Sequence, residues 1–352
     1  MGEETSIAIV TTMRDEGPFI LEWLAHHKAL GATGFLIFSN DCSDGTDRLL
    51  DALATAGEIV HVPQVPTGKS VQWPALRAAA DHPLCKAADW VMCIDCDEFV
   101  NLRPPLDSLH DLIASRPEAD AFALPWRFFG HGGHLGFEPG PVTERFTMAA
   151  PQGMLFPAAS RFFKTLYRTD ARGFARPGIH RPKARKSAKD LPQWVDGSGT
   201  RLPDDLASDE TRILLAPDQT GTDLAQLNHY SLRSAEDFLV KRARGLPNRQ
   251  SKPLDASYWA ERNFNVVEDA SILRHAAARV KEEARLRTLP GVEDAHDTAV
   301  RAYRGIINDL LKDADAVHLY SRLALLAGSE PPDATTGKRL LALIHASLKP
   351  QD

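Results

Sequence analysis

No apolar run in the 352 residues approaches the roughly 20 residues that a membrane-spanning helix needs, so no transmembrane segment is expected. The first residues lack the basic, apolar and small-residue order of a secretory signal, and a cytoplasmic location is expected. Cysteine is scarce: the four are Cys42, Cys85, Cys93 and Cys96, all in the first third. Cys93 and Cys96 have C-x-x-C spacing, but no second pair and no nearby histidine pair completes a tetrahedral zinc site. Reduced core thiols are expected instead. A basic excess is also missing. With 41 Lys and Arg against 47 Asp and Glu, the net charge of -6 excludes a general nucleic-acid binder, which needs cations to displace counterions from phosphates. No internal repeat is visible. What remains, 43% hydrophobic and 25% charged residues, is the composition of an ordinary globular protein, long enough for one large domain or a domain with an appendage.

The stretch WVMCIDCDEFV, residues 90–100, organises the rest. A short apolar run from Trp90 to Ile94 stops at Asp95, Asp97 and Glu98, as a buried strand does when it delivers carboxylates to its carboxyl edge. Crowded acids repel one another and need a cation. Side chains alternate along an extended segment, so Asp95 and Asp97 are expected to point into one site, with Cys96 turned to the sheet. That pair suits a hard divalent ion whose other positions are filled by substrate phosphates and water. Solvated acids after a strand are the plainer alternative.

Three strand and helix units precede this stretch. Strands are expected at residues 6–12, 35–38 and 58–62, helices at 18–30 and 71–80, and a further helix after the polar turn SNDCSDGT. The alternation predicts an α/β fold with a mostly parallel, doubly wound sheet, in which ligands sit at the strand carboxyl ends. Three polar turns then converge on one crevice: residues 11–16, 40–46 and 95–98. Beyond residue 100 strands are expected at 119–126, 161–168, 173–180 and 225–230, and residues 127–156 form a long loop of the kind that usually serves a function. From Ser234 the chain reads as helical, with Ser234 and Asp237 forming a capping box. The expected division is therefore residues 1–233 and a helical region at 234–352.

With the three turns side by side, the sequence resembles a glycosyltransferase of the GT-A fold, close to family 2 and its bacterial branch. The resemblance runs through MRDEGPFILEWLAHHKALG, FSNDCSDGT, CIDCDEFV and LNHYSLRSAEDFLVKRARG, residues 7–245. It implies that Thr11, Arg14 and Glu16 lie near a bound nucleotide and that Asn40 and Asp41 lie at its base and ribose. Asp95 and Asp97 would hold a manganese or magnesium ion on the diphosphate, with Glu98 behind them. His229, in NHY, would complete the metal or diphosphate site, and Lys241, with Arg242 and Arg244, would face the diphosphate. Each has a structural alternative: a helix-entry ion pair for Arg14 and Glu16, a turn role for Asp41, a core histidine at 229 and a solvated basic face for the helix.

The implied reaction moves a sugar from a nucleotide diphosphate donor, expected to be UDP-linked, to a hydroxyl of a glycan or lipid-linked acceptor, with inversion at the sugar. A diphosphate leaving group gathers charge as the glycosidic bond breaks, and a cation stabilises it. Inversion requires a general base. The family's Glu-Asp base motif is absent, which leaves Glu144 in VTERF as first candidate and His180 in GIHRP as second. Trp126, Phe128, Phe129, His131 and His134 are candidates for an acceptor platform, and Lys164 and Arg168 for contacts with an anionic substrate. Peripheral membrane contact and a homodimer through the C-terminal helices are the remaining partner expectations. Rival readings are a non-catalytic nucleotide or glycan-binding module and an aspartyl phosphatase, although the latter usually carries its D-x-D near the domain start.

Overall fold

The computed structural model describes residues 5–66, 70–185, 190–245 and 254–347. Among them, one large sheet of nine strands runs in the order Val60–Pro63, Gly34–Ser39, Ile7–Met13, Trp90–Cys93, Phe163–Arg168, Ala121–Phe128, Ala225–His229 and Glu98–Leu102, with Trp194–Asp196 also paired to Ala121–Phe128. The first four strands are parallel to one another. Phe163–Arg168 runs against both its neighbours, and Glu98–Leu102 runs against Ala225–His229. The expected α/β architecture, a mostly parallel sheet flanked by helices, is present.

The sequence explains the parallel half. IAIVTTM is almost wholly buried, as a central parallel strand covered on both faces must be. Helix Ile20–Ala29 buries Trp23 and Leu24 completely, in the same apolar cluster as Ile7 and Ile9 of that strand, and burying such side chains contributes about 1.5–3 kcal/mol each. The chain leaves this helix at Gly31, whose φ of +94° and close approach to His110 exclude a side chain.

Two departures from the sequence reading shape the site. The fourth strand ends at Cys93, and Cys96 and Asp97 form a turn, so strand alternation does not orient the two aspartates. After that turn the chain enters the strand Glu98–Leu102, which the apolar pattern did not reveal because its partner Ala225–His229 lies far along the sequence.

The helices after residue 234 are integrated with the sheet. Ala276–Arg287 packs along Ile20–Ala29, and Val292–Leu310 packs on Thr46–Thr55 and on Ala235–Arg244. Leu286, Val292, Tyr303 and Ile307 join the same buried cluster as Ile9, Trp23 and Phe99. The capping box of Ser234 and Asp237 forms as expected. No helix among the described residues is long and apolar enough to cross a membrane, and all four cysteines are free.

Candidate active site

The carboxyl ends of the parallel strands open into a cleft of about 280 Å³. Arg14 and Glu16 after the first strand, Asn40 and Asp41 after the second, and Asp95 and Asp97 after the fourth all line it, and His180, His229 and Lys241 reach it from the later part of the chain. These nine residues, all singled out from the sequence, therefore meet in one place. Thr11 and Glu144 do not. Thr11 is buried one position back, where Thr12 takes the cleft position.

The acidic turn is held by lysines. Asp95 Oδ2 receives Lys164 Nζ at 3.0 Å and Oδ1 receives Gln72 Nε2 at 2.9 Å. The Asp95 amide donates to Glu98 Oε2 at 2.8 Å, and Lys164 reaches the same carboxylate at 3.2 Å. Lys164 and Glu98 have no exposed side-chain surface. Burial opposes the charge on Lys164, but Asp95 and Glu98 overcome it and hold its pKa above the usual lysine value. Burial drives the Glu98 carboxyl well up, with Lys164 only partly compensating.

Asp97 faces the other way. Lys241 Nζ donates to its Oδ2 at 2.7 Å, and His229 Nε2 stands 3.7 Å from Oδ1. Burial would raise this carboxyl, yet Lys241 and His229 outweigh it and hold the pKa well below the usual range. Burial lowers the His229 pKa against the pull of Asp97, which favours the neutral imidazole.

A second ionic knot fixes the first turn to helix Ala235–Arg244. Glu16 takes Arg233 at 2.8 Å and is also bound by Arg244, which in addition donates to the carbonyls of Arg14 and Asp15. Burial works against the Glu16 charge, but the two guanidiniums win and lower its pKa. Asp15 Oδ1 accepts the amides of Ser43 and Asp44 at 2.6 and 3.2 Å, tying the first turn to the second. Asp15, Asp41 and Arg233 all have positive φ, at 50°, 45° and 55°. Such backbone costs energy and persists where the surroundings enforce it, and all three residues lie around this cleft.

The opposite wall is aromatic. Phe162 stacks on His180 with ring centres 4.6 Å apart, and Trp126 packs 5.5 Å from His180 and 4.2 Å from His229. His180 Nδ1 lies 3.1 Å from the Phe163 carbonyl. Since a carbonyl only accepts, Nδ1 carries the proton and Nε2 keeps a free lone pair. Burial, aided by the Lys164 charge, pushes the His180 pKa down to about 3.

Several expectations need correction. Glu144 belongs to the short helix Val142–Arg145 and is ion-paired with Arg279 away from the cleft, because Glu22 anchors that helix through the amides of Val142 and Thr143 at 2.6 and 3.0 Å. Of the expected aromatic platform only Trp126 lines the cleft; Phe128, Phe129 and His131 are core residues, and His134 packs against Phe146. Arg168 pairs with exposed Asp170. Arg244 lines the cleft, whereas Arg242 does not. Gln72, Phe162, Arg233 and Arg262 were not singled out from the sequence. Arg233 sits in the YSLRSAED segment just before the capping box, which was the one local signal for it.

The donor set suits one divalent cation between Asp97 and His229. A gap of 3.7 Å leaves room for an ion bound by both at about 2.0–2.2 Å. Asp95 stands apart from them, with Gln72 and Lys164 donating to its two oxygens. Among the described residues no group of three or more His, Cys, Asp or Glu side chains is assembled to hold a metal, so phosphate oxygens and water would supply the remaining positions.

Fold and cleft together define a class: an α/β protein with an acidic turn and clustered cations at the carboxyl ends of its parallel strands, similar to the glycosyltransferases. The sequence model of Glycosyltransferase family 92 matches residues 10–169, somewhat less than half of the chain. A glycosyltransferase family 92 protein of Oryza sativa subsp. japonica is 26% identical over 156 residues, covering 42% of this chain and 26% of that protein. One from Ricinus communis is 29% identical over 118 residues, covering 31% and 19%. The chain thus spans about a quarter or less of the length of these curated relatives. Among solved structures, S. aureus TarS 1-349 in complex with UDP has 12% identity and a TM-score of 0.34, covering 88% of this chain and 92% of that one. The resemblance to glycosyltransferases read from the sequence is borne out.

Proposed function

We propose that the protein is a metal-dependent glycosyltransferase that takes a sugar from a nucleotide diphosphate donor, UDP-linked, and passes it with inversion to a hydroxyl of a glycan or lipid-linked acceptor. One observation carries this reading: the turns after three parallel strands meet in a single cleft where two aspartates are each faced by a lysine. A pyrophosphate needs cations within reach, and Lys241, Arg244 and Arg14 line that wall. The match to the family 92 model over residues 10–169 supports it, because that segment contains all three turns.

In this reading Asn40 and Asp41 hold the nucleoside end of the donor, Asp97 and His229 hold the divalent cation, and Lys241 and Arg244 bind the phosphates. The cation, when bound, supplies Lewis-acid stabilisation of the departing diphosphate. Glu16 keeps Arg244 aimed, and Lys164 keeps Asp95 fixed as an anionic hydrogen-bond acceptor at the cleft floor. His180, neutral and with Nε2 free, is the general base that takes the acceptor hydroxyl's proton as oxygen attacks the anomeric carbon. The negative charge of a bound donor raises its proton affinity when the base is needed. A cytoplasmic site of action and a homodimer through the C-terminal helices, whose Leu343 and Ile344 are exposed, complete the proposal. The test is turnover: the purified chain with manganese and a panel of nucleotide sugars should release free nucleoside diphosphate from one donor, faster with the acceptor present. Absence of release from every donor, with and without acceptors, would refute it.

A further inference from the structure

Away from the cleft, the antiparallel hairpin of Phe174–Arg176 and Lys183–Ala184 borders a second concavity of about 300 Å³. It adjoins Tyr167 and Thr169, whereas Lys164, nearer the start of the same strand, faces the acidic turn. In register, Arg168 lies opposite Trp90, at the beginning of the strand whose other end leads to Asp95. The two depressions therefore sit toward opposite ends of one strand pair.

The second depression is cationic. Lys86, Arg176 and Arg185 line it, together with one acid, Asp170, which Arg168 already binds at 3.2 Å. Composition does not account for this, since the chain carries a net charge of -6 while residues 161–185 hold eight Lys or Arg against a single acid. Three other cations of that segment are engaged. Lys164 is held by Asp95, Arg181 donates to the carbonyls of Leu206 and Asp209, and Lys183 lies over the Trp73 ring. Arg176 is different: it is half-buried, and its Nη1 is shielded from water with no hydrogen-bond partner among the described residues. A charged donor withdrawn from water without an acceptor is costly, so an arrangement of this kind calls for one from outside the chain. Guanidinium forks match the oxygens of phosphate, and the two of them outweigh the single lining carboxylate, while Lys86 is shared with Asp81 at 3.4 Å.

We propose that this concavity is a second anion site that takes a phosphate group. It is separate from the donor cleft but tied to it. Arg176 and His180 are four residues apart on one segment, so they are at most about 14 Å apart along the chain, and a phosphate held by Arg176 and Arg185 sits within reach of the wall that carries His180. The phosphate comes either free in solution or as a lipid headgroup, and the two sources separate experimentally.

Calorimetric titration of the full chain with inorganic phosphate, at constant ionic strength, is compared for wild type, Arg176→Gln/Arg185→Gln and Lys241→Met. The expected result is loss of one phosphate site, by at least tenfold in affinity, in the double variant, retention of that site in Lys241→Met, whose own loss is confined to the donor cleft, and unchanged UDP binding in the double variant. Arg185→Gln alone, at an exposed position, and the charge-conserving Arg176→Lys/Arg185→Lys guard against a folding defect: the first weakens binding and the second retains most of it. Co-sedimentation with phosphatidylglycerol vesicles but not phosphatidylcholine vesicles, lost in the double variant, assigns the headgroup; phosphate binding without co-sedimentation assigns the free anion. Phosphate binding that survives in the double variant and disappears in Lys241→Met would place the anion in the donor cleft and overturn the proposal.

Discussion

Asp95 and Asp97 stand two residues apart on one turn, yet they occupy different environments. Asp95 is held on both oxygens: Lys164 and Gln72 donate to them, and its own amide is bound by the Glu98 carboxylate. Asp97 has one oxygen on Lys241 and another looking across 3.7 Å at His229. The first corner is a finished ionic structure and the second is incomplete without a ligand. Two identical residues in a D-x-D spacing therefore have unequal parts, which are fixed by what later segments bring to each.

The substitutions that break this comparison can be ordered by expected effect. Asp97→Asn removes the charge from the incomplete corner and should lower kcat/KM for sugar transfer by about 10³-fold; steady-state kinetics with manganese read it. Lys164→Met strands the buried Glu98 carboxylate and leaves the partly exposed Asp95 without its cation, so its main effect should be on stability, a loss of about 3 kcal/mol in urea unfolding, with Lys164→Arg recovering part of it. His180→Gln keeps the ring's hydrogen-bond length but cannot accept the proton, and should cost about 10²-fold in kcat with little change in donor KM. Glu144→Gln touches only the pair with Arg279 outside the cleft and should leave turnover within about twofold, since substitutions away from such sites are usually small.

The pH dependence sharpens the same contrast. His180 works as a base only when neutral, and its pKa is depressed to about 3, so activity should hold as pH falls through the ordinary histidine range near about 6.5. An acid limb of kcat/KM at that value would contradict the assignment. The lowered Asp97 pKa has the opposite relation to stability: its contribution is full above the ordinary carboxyl value of 3.8 and is lost as pH falls through its folded value. Asp97→Asn should accordingly flatten the acid limb of the stability profile.

Legibility in the sequence divides along the same line. The parallel half was readable because each strand, turn and helix follows its neighbour, so local periodicity and the polar turns sufficed. The contacts that finish the site are not local. Lys164 reaches Asp95 across 69 positions, and Arg233 reaches Glu16 across 217. No spacing rule connects such pairs; the antiparallel insertion of Phe163–Arg168 does. By sequence Lys164 is a strand residue suited to an anionic substrate, and the structure gives it a carboxylate of the same chain. Glu144 drew attention because a carboxylate in a long loop is a reasonable base, and what removed it, the anchoring of its helix by Glu22, is visible only in three dimensions. His229 and Lys241 were legible through the resemblance and lie in the cleft.

The most direct measurement is a calorimetric titration of UDP into the wild-type chain and into Asp97→Asn, each with and without manganese. The account predicts one site per chain in the wild type, strengthened at least tenfold by manganese, and loss of that enhancement in the variant. UDP binding that is absent altogether, or equally metal-sensitive after Asp97→Asn, would contradict it.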